Sequence, residues 1–380
     1  MVLWFKLRPA CVVTLVFALL CIPAHALIAL NDGTDHIYLT GTASIGYDSN
    51  IFAHNGGDGD TIYSASVLAE YHRRAGLIAV DGSAEVDFSR FNNYTGESFN
   101  NPKFLAAFTK NTGPTTGKFA LGAARESQAD AVAGVRTDSW VYDADLNMTH
   151  PVIERYSISG HLGFSDRLYG ANTVELSDLQ TYTAGADLLY ALNTQRSFLA
   201  GYQFRRSETS SRSTYNDHSF TAGIEGRIIS KLRGSLRAGY EVRNPTGSTA
   251  DGAYRGLTAA GAVSWAASSR LTITGELSKD VSVTANDLSV DTTSAGLTMG
   301  YVINDRLTFT GNVGAGKNRY LGASAAGRRD DYVTWGAGLK SKLLEHLDAS
   351  LVYAYDDNHS TLNFSDFTRN TLTFSLSSRW

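Results

Sequence analysis

The sequence predicts an all-β protein: a transmembrane antiparallel β-barrel of about eighteen strands, sixteen being the alternative count. Three observations lead there. The first is the carboxyl terminus, where Leu372, Phe374, Leu376 and the terminal Trp380 share one parity and Thr371, Thr373, Ser375, Ser377 and Arg379 the other. That is a strand with one face for lipid and one for water, closed by an aromatic at a membrane interface, the expected assembly signal of such a barrel. Half-buried strands of soluble proteins alternate in the same way, so the other two observations decide. Composition is the second. Charged residues make up only 18%, aromatics reach 11%, and 36 Gly stand against 6 Pro, which favours long strands over helices or disorder. Hydrophobic content of 43% is no higher than in soluble proteins, because a barrel strand needs only half its residues apolar.

The third is the amino terminus. Lys6 and Arg8 precede an apolar run from Ala10 to Ile22, and Ala24-His25-Ala26 supplies a small-x-small cleavage pattern. Residues 1–26 therefore read as a cleaved signal peptide and 27–35 as a short periplasmic segment before a barrel over 36–380. A retained helix is the rival, but the run falls short of the roughly 20 apolar residues a span needs, and no second run follows. A lipid anchor at Cys21 would want a small residue where Leu20 stands. Cys11 and Cys21, the only cysteines, leave with the leader, so no disulfide or thiolate metal site is expected. Loss of Lys6 and Arg8 takes the formal net charge from −4 to −6, with no basic surplus to suggest nucleic acid.

Strands are expected near 36–47, 62–73, 76–90, 102–112, 117–127, 137–149, 155–169, 178–192 and 196–208. Nine more fall near 216–229, 233–244, 253–267, 270–282, 290–303, 305–320, 329–343, 346–358 and 366–380. Weak self-similarity sets the spacing: PVIERYSISGHLGF from Pro151, ALNTQRSFLAGYQF from Ala191, WAASSRLTITGELS from Trp265 and YVINDRLTFTGNVG from Tyr301 each join a few turn residues to an alternating run. These short connections read as periplasmic turns, and the longer Gly, Ser, Asn and Asp stretches as outer loops. The fourth and fifth strands are short and weakly patterned, hence the alternative count. A barrel of this size encloses an aqueous lumen.

Parity assigns the faces. Leu236, Ala238, Tyr240 and Val242 alternate with Arg237, Gly239, Glu241 and Arg243, while Trp335, Ala337 and Leu339 alternate with Gly336, Gly338 and Lys340. A one-residue slip would put charges into lipid at roughly 2–4 kcal/mol for each Arg or Lys near the midplane. Tyr47, Tyr63, Tyr71, Phe88, Tyr142, Phe164, Tyr190, Phe204, Tyr240, Tyr301 and Tyr355 fall near strand ends on the lipid parity as girdle residues. The polar parity of the early strands carries Glu70, Asp81, Glu85, Asp87, Asp143, Asp145 and Asp187. Later strands add Arg205, Glu225, Arg227, Arg237, Glu241, Arg243, Glu276, Lys340 and Lys342, with Asp348 and Asp356. An acidic wall facing a mixed, more basic one would set a transverse field favouring hydrated, hydroxyl-rich solutes. Pairing of these charges across neighbouring strands is the plainer reading.

Gly46-Tyr47-Asp48-Ser49-Asn50-Ile51-Phe52, where the first strand enters the first loop, resembles a motif near the start of the mature chain in the putative beta-barrel porin 2 family of bacterial outer-membrane proteins. More loosely, the resemblance extends over the mature chain as hairpin spacing, barrel length and an aromatic terminus. It implies an outer-membrane channel linked to exopolysaccharide export, and carries over no catalytic residue. Locally, Asp48 and Asn50 would form an Asx-type turn while Tyr47 and Ile51 anchor at the interface.

Other chemistry finds little support. Gly56-Gly57-Asp58-Gly59-Asp60 offers acidic oxygens but no bidentate Glu at calcium-loop spacing. His161 shares a parity with Ser157, Ser159 and Ser165, and His72 with Ser64, Ser66 and Glu70. Same-face neighbours lie roughly 6–7 Å apart along a strand, too far for a direct Ser–His bond. No enzyme, cofactor or metal is expected. The expected function is export of an exopolysaccharide strand through a wet lumen, with a passive diffusion porin for small hydrophilic solutes and a structural or adhesive barrel as alternatives. Outer-membrane lipid, the barrel assembly machinery and a periplasmic polysaccharide export protein are the expected partners.

Overall fold

The computed structural model describes residues 28–30, 34–170, 176–247, 251–325 and 327–380; the expected signal peptide lies outside them. A three-residue strand, β1 (Ile28–Leu30), precedes eighteen long ones. The first nine are β2 (Asp35–Asp48), β3 (Asp60–Arg73), β4 (Ala79–Phe91), β5 (Phe99–Lys110), β6 (Thr116–Asp130), β7 (Val135–Ile153), β8 (Tyr156–Tyr169), β9 (Leu179–Asn193) and β10 (Arg196–Thr209). The rest are β11 (Thr214–Ile229), β12 (Leu232–Thr246), β13 (Tyr254–Ala266), β14 (Leu271–Val283), β15 (Ser289–Val302), β16 (Leu307–Tyr320), β17 (Arg329–Lys342), β18 (Leu347–Ser360) and β19 (Phe367–Arg379).

Each long strand pairs antiparallel with its successor, and β19 pairs with β2 through Leu372↔Tyr47 and Phe374↔Ile45, closing an eighteen-stranded barrel. Closure leaves no free edge for the backbone groups to expose to lipid. Beyond the end of β19, on the short-turn side of the barrel, β1 continues the same edge of β2 through Ala29↔His36. The fourth and fifth expected strands are real and pair over Lys103↔Ala124 to Lys110↔Gly117. Their weak pattern reflects small residues such as Ala106, Ala107 and Ala120 on both parities.

Burial is inverted relative to a soluble protein. Leu236 is 51% exposed and Tyr240 48%, whereas Glu241 and Arg243, which follow on the opposite parity, are 1% exposed. Aliphatic side chains thus cover the outside, where a bilayer replaces water, and the charges turn inward, as parity predicts. Tyr47, Tyr142, Tyr240 and Tyr301 are exposed on the outer face as girdle positions require. At the terminus Trp380 stacks on His346, and its backbone exchanges hydrogen bonds with Leu39 across the seam.

The outer connections are shorter than the polar stretches suggested. The β6–β7 connection is only residues 131–134, because strands continue past the lipid belt through sequence that reads as loop. Gly226, at φ 119°, lies where β11 pairs irregularly near its turn, and a side chain there would collide with the Gln195 carbonyl.

Candidate functional site: the lumen and its outer mouth

At the outer mouth, hairpin tips fold inward and meet. β7 and β16 stand on opposite sides of an eighteen-membered ring, yet the β6–β7 tip touches the β16–β17 loop. Asp130 shapes that tip, its carboxylate accepting from the Val132 and Ala133 N–H groups while Gly134 adopts φ 67°. Val132 packs on a small apolar cluster of Val290, Tyr320 and Ala325. Arg328 is the latch. Its guanidinium binds Asp330 at 2.8 Å, lies 4.4 Å over the Tyr320 ring, donates to Ser365, and reaches the Ala131 and Val132 carbonyls at 3.4 and 3.5 Å.

A second tip, β14–β15, enters from the other flank. Arg243 is fully buried and grips Asp217 through two hydrogen bonds of 2.7 Å while donating to the Val281 and Ser282 carbonyls. Arg205 bridges Asp217, Glu241 and Asp280. Strands β10 and β14 are four apart in the sheet, so a direct Arg205–Asp280 pair at 2.8 Å requires the end of β14 to bend inward. Tyr215 and Ser213 hold Asp287 at the tip, where Asn286 Nδ2 donates to Val132 at 3.5 Å. The two tips therefore touch, and narrow the mouth.

The first-loop motif belongs to this closure. Asn50 N–H donates to Asp48 in the expected Asx-type turn, and Arg369 clamps Asp48 from β19 at 2.6 Å. Ile51 departs from expectation. It is fully buried, and its carbonyl accepts from Arg136, whose guanidinium lies 5.0 Å over Phe91. The loop turns inward after Asn50 and draws Ile51 away from the interface. Asp60 accepts from the Thr61, Asn93 and Tyr94 N–H groups, and Asp58 from the Tyr94 hydroxyl, so both carboxylates brace the first outer loop.

The inward carboxylates divide into two sets. Asp81 pairs with Arg74 and His72, Glu70 with Arg379, Asp187 with Arg237 at 3.5 Å, and Asp348 with Lys340. The side chains of Glu85, Asp87, Asp143 and Asp145 make neither ion pair nor hydrogen bond among the described residues, although Lys103 stands across from Glu85, and neither do the side chains of Glu225, Glu276, Arg227 and Lys342. Two further buried acceptors, Glu241 Oε2 and Asn286 Oδ1, lack a donor. His161 binds Asn147 and His72 binds Asp81, neither approaching a serine. Arg136, Arg328 and Arg369, Asp217 and Asp280, which build the mouth, are not among the charges named from strand parity. The Arg328-Arg329-Asp330-Asp331 run at a strand start was the available signal.

Residues 216–379 match the putative beta-barrel porin 2 family. The match covers 164 of the chain's 380 residues and lies outside the Gly46–Phe52 motif. It supports a porin-like outer-membrane barrel. No curated protein matches the chain. In fold the porin is similar to OccK2 of Pseudomonas aeruginosa, with 11% identity, 93% of this chain and 99% of that one covered, and a TM-score of 0.50. Less similar are OccAB3 of Acinetobacter baumannii, at 10% identity, 91% and 99% coverage and a TM-score of 0.49, and a bacterial polysaccharide outer membrane secretin, at 11%, 90% and 98%, and 0.37.

Proposed function

We propose that this porin passes a hydroxyl-rich solute, and specifically an exopolysaccharide strand leaving the cell. The observation that carries the reading is a set of half-buried inward carboxylates without a protein donor among the described residues: Glu85 and Asp87 on β4, Asp143 and Asp145 on β7. Sugar hydroxyls are donors, and weak repeated contacts let a polymer leave as well as enter. The latched mouth fits the same reading, since a polymer fed from the periplasm by an export partner can part the tips, whereas free diffusion needs a standing aperture. Of the sixteen inward candidates named from the sequence, the fourteen other than the buried Glu241 and Arg243 are proposed as the wall that this strand contacts. Small-solute diffusion is the second reading, favoured by how few hydrogen bonds join the β6–β7 tip to its neighbours.

The test is planar-bilayer recording of the mature chain with a long neutral polysaccharide on either side. Transient blockade by polymer, lost in a Glu85→Gln/Asp87→Asn/Asp143→Asn/Asp145→Asn variant, supports threading. Steady conductance indifferent to polymer but permeable to small sugars supports diffusion.

A further inference from the structure

The inward bend of β14 leaves a mark on the outside of the barrel. β13 and β14 pair only from Ala259↔Lys279 down to Ala266↔Thr272. Above that level the two part, because Arg205 and Arg243 hold Asp280, Val281 and Ser282 in the mouth. A groove of about 470 Å³ opens on the outer face, at the end of the wall that carries the outer loops. Into it project Arg255, Lys279, Lys317, Arg319 and Arg329. Only two carboxylates answer these five cations: Asp291 takes Lys279 and Arg319, and Asp331 takes Lys317 and Arg329. Arg255 has no partner among the described residues. Elsewhere the outward parity of the rim is mixed, with Arg206 on Glu208, Arg125 on Asp138, and Arg90, Asp166 and Asp357 spread among other strands, so the gathering of five cations is particular to this groove.

Directly below, on the same strands and the same face, lies a second groove of about 680 Å³ that is almost wholly apolar. Gly261, Gly275 and Ala295 form its floor, and Leu277, Leu297 and Val313 its walls. Lys279 follows Leu277 on one strand, and Lys317 stands four residues, about 13 Å, above Val313 on another. A cationic pocket above an apolar trough at a membrane boundary has the polarity of a lipid standing upright.

We propose that this face holds one outer-leaflet glycolipid, its phosphate groups in the cationic groove and an acyl chain in the trough. Lipopolysaccharide supplies that chemistry: phosphorylated sugars over several acyl chains. Clusters of Lys and Arg at a membrane surface recognise anionic headgroups in this way, and Arg forks suit phosphate. The trough explains why the ligand is a lipid and not a free anion.

The experiment uses the full mature chain in detergent, titrated with fluorescent lipopolysaccharide, folding of each variant being checked by its heat-dependent gel mobility. Saturable, salt-sensitive binding of one molecule per barrel is expected. Binding should weaken about thirtyfold in Arg255→Gln/Lys317→Gln, and as much for dephosphorylated lipopolysaccharide. Ala295→Phe, which fills the trough and leaves the cations in place, should also weaken it. Unchanged affinity in either folded variant overturns the proposal. So does displacement by inorganic phosphate at similar concentration, which would make this a simple anion site, or by a soluble anionic polysaccharide, which would make it a polymer surface.

Discussion

At the scale of single residues, the molecule is governed by buried arginines. Arg243 is enclosed with Asp217, and two β14 carbonyls depend on it. Removing one partner of such a pair leaves the other charge buried, at roughly 3–5 kcal/mol. Arg243→Met should therefore destabilise the barrel by about that amount in reversible urea unfolding from detergent, and a cost below 1 kcal/mol would show that the pair is wet. Asp251, in the β12–β13 loop, makes a gentler contact. N–H groups of Gly252, Ser324 and Ala323 converge on its carboxylate and hold its pKa below the usual range. A depressed carboxyl stabilises above its unfolded pKa and loses that contribution as pH falls through the folded value. The β12–β13 and β16–β17 loops should therefore separate only in acid, read as faster exchange of the Ala323 and Ser324 amides. Exchange independent of pH beyond its chemical rate would contradict this. Tyr47 and Ile51 show how far sequence reaches at this scale. Tyr47 obeys strand parity, but Ile51 sits just past the strand, where parity no longer applies and contacts with Arg136 from residues far along the chain decide its place.

At the scale of elements, alternation made the long strands legible to within a few residues, because a slip of one would expose Arg237 or Arg243 to lipid. It failed at strand ends above the membrane. There Ser, Asn, Gly and Asp serve equally in loops and in water-exposed strands, so β7 runs on to Val135 and the β6–β7 tip is four residues rather than a long loop. Inward folding was equally hidden, since Arg205–Asp280 and Arg328–Val132 join positions with no shared local pattern. The tips are nonetheless the elements on which the proposed function depends. Arg328→Ala frees Asp330 and the β6–β7 tip together, and should raise open probability in bilayer recordings severalfold while leaving the barrel folded. Arg328→Lys keeps the charge but loses the planar stack on Tyr320 and should fall between. An unchanged open probability in the alanine variant would mean that the tip does not gate.

At the scale of the whole molecule, an eighteen-stranded barrel carries half-buried acid on the inward parity of β4 and β7, a mouth narrowed by two touching tips, and an outer face with five cations gathered at one groove. The central claim is that the tips restrict a pore otherwise wide enough for a hydrophilic polymer. Single-channel conductance of the wild type beside a variant with residues 131–134 replaced by Asn-Gly tests this most directly. The account predicts small, intermittent conductance in the wild type and a large, steady one in the variant, which polysaccharide added on the periplasmic side then blocks transiently. Equal conductances, or a shortened variant that stays closed, would contradict it.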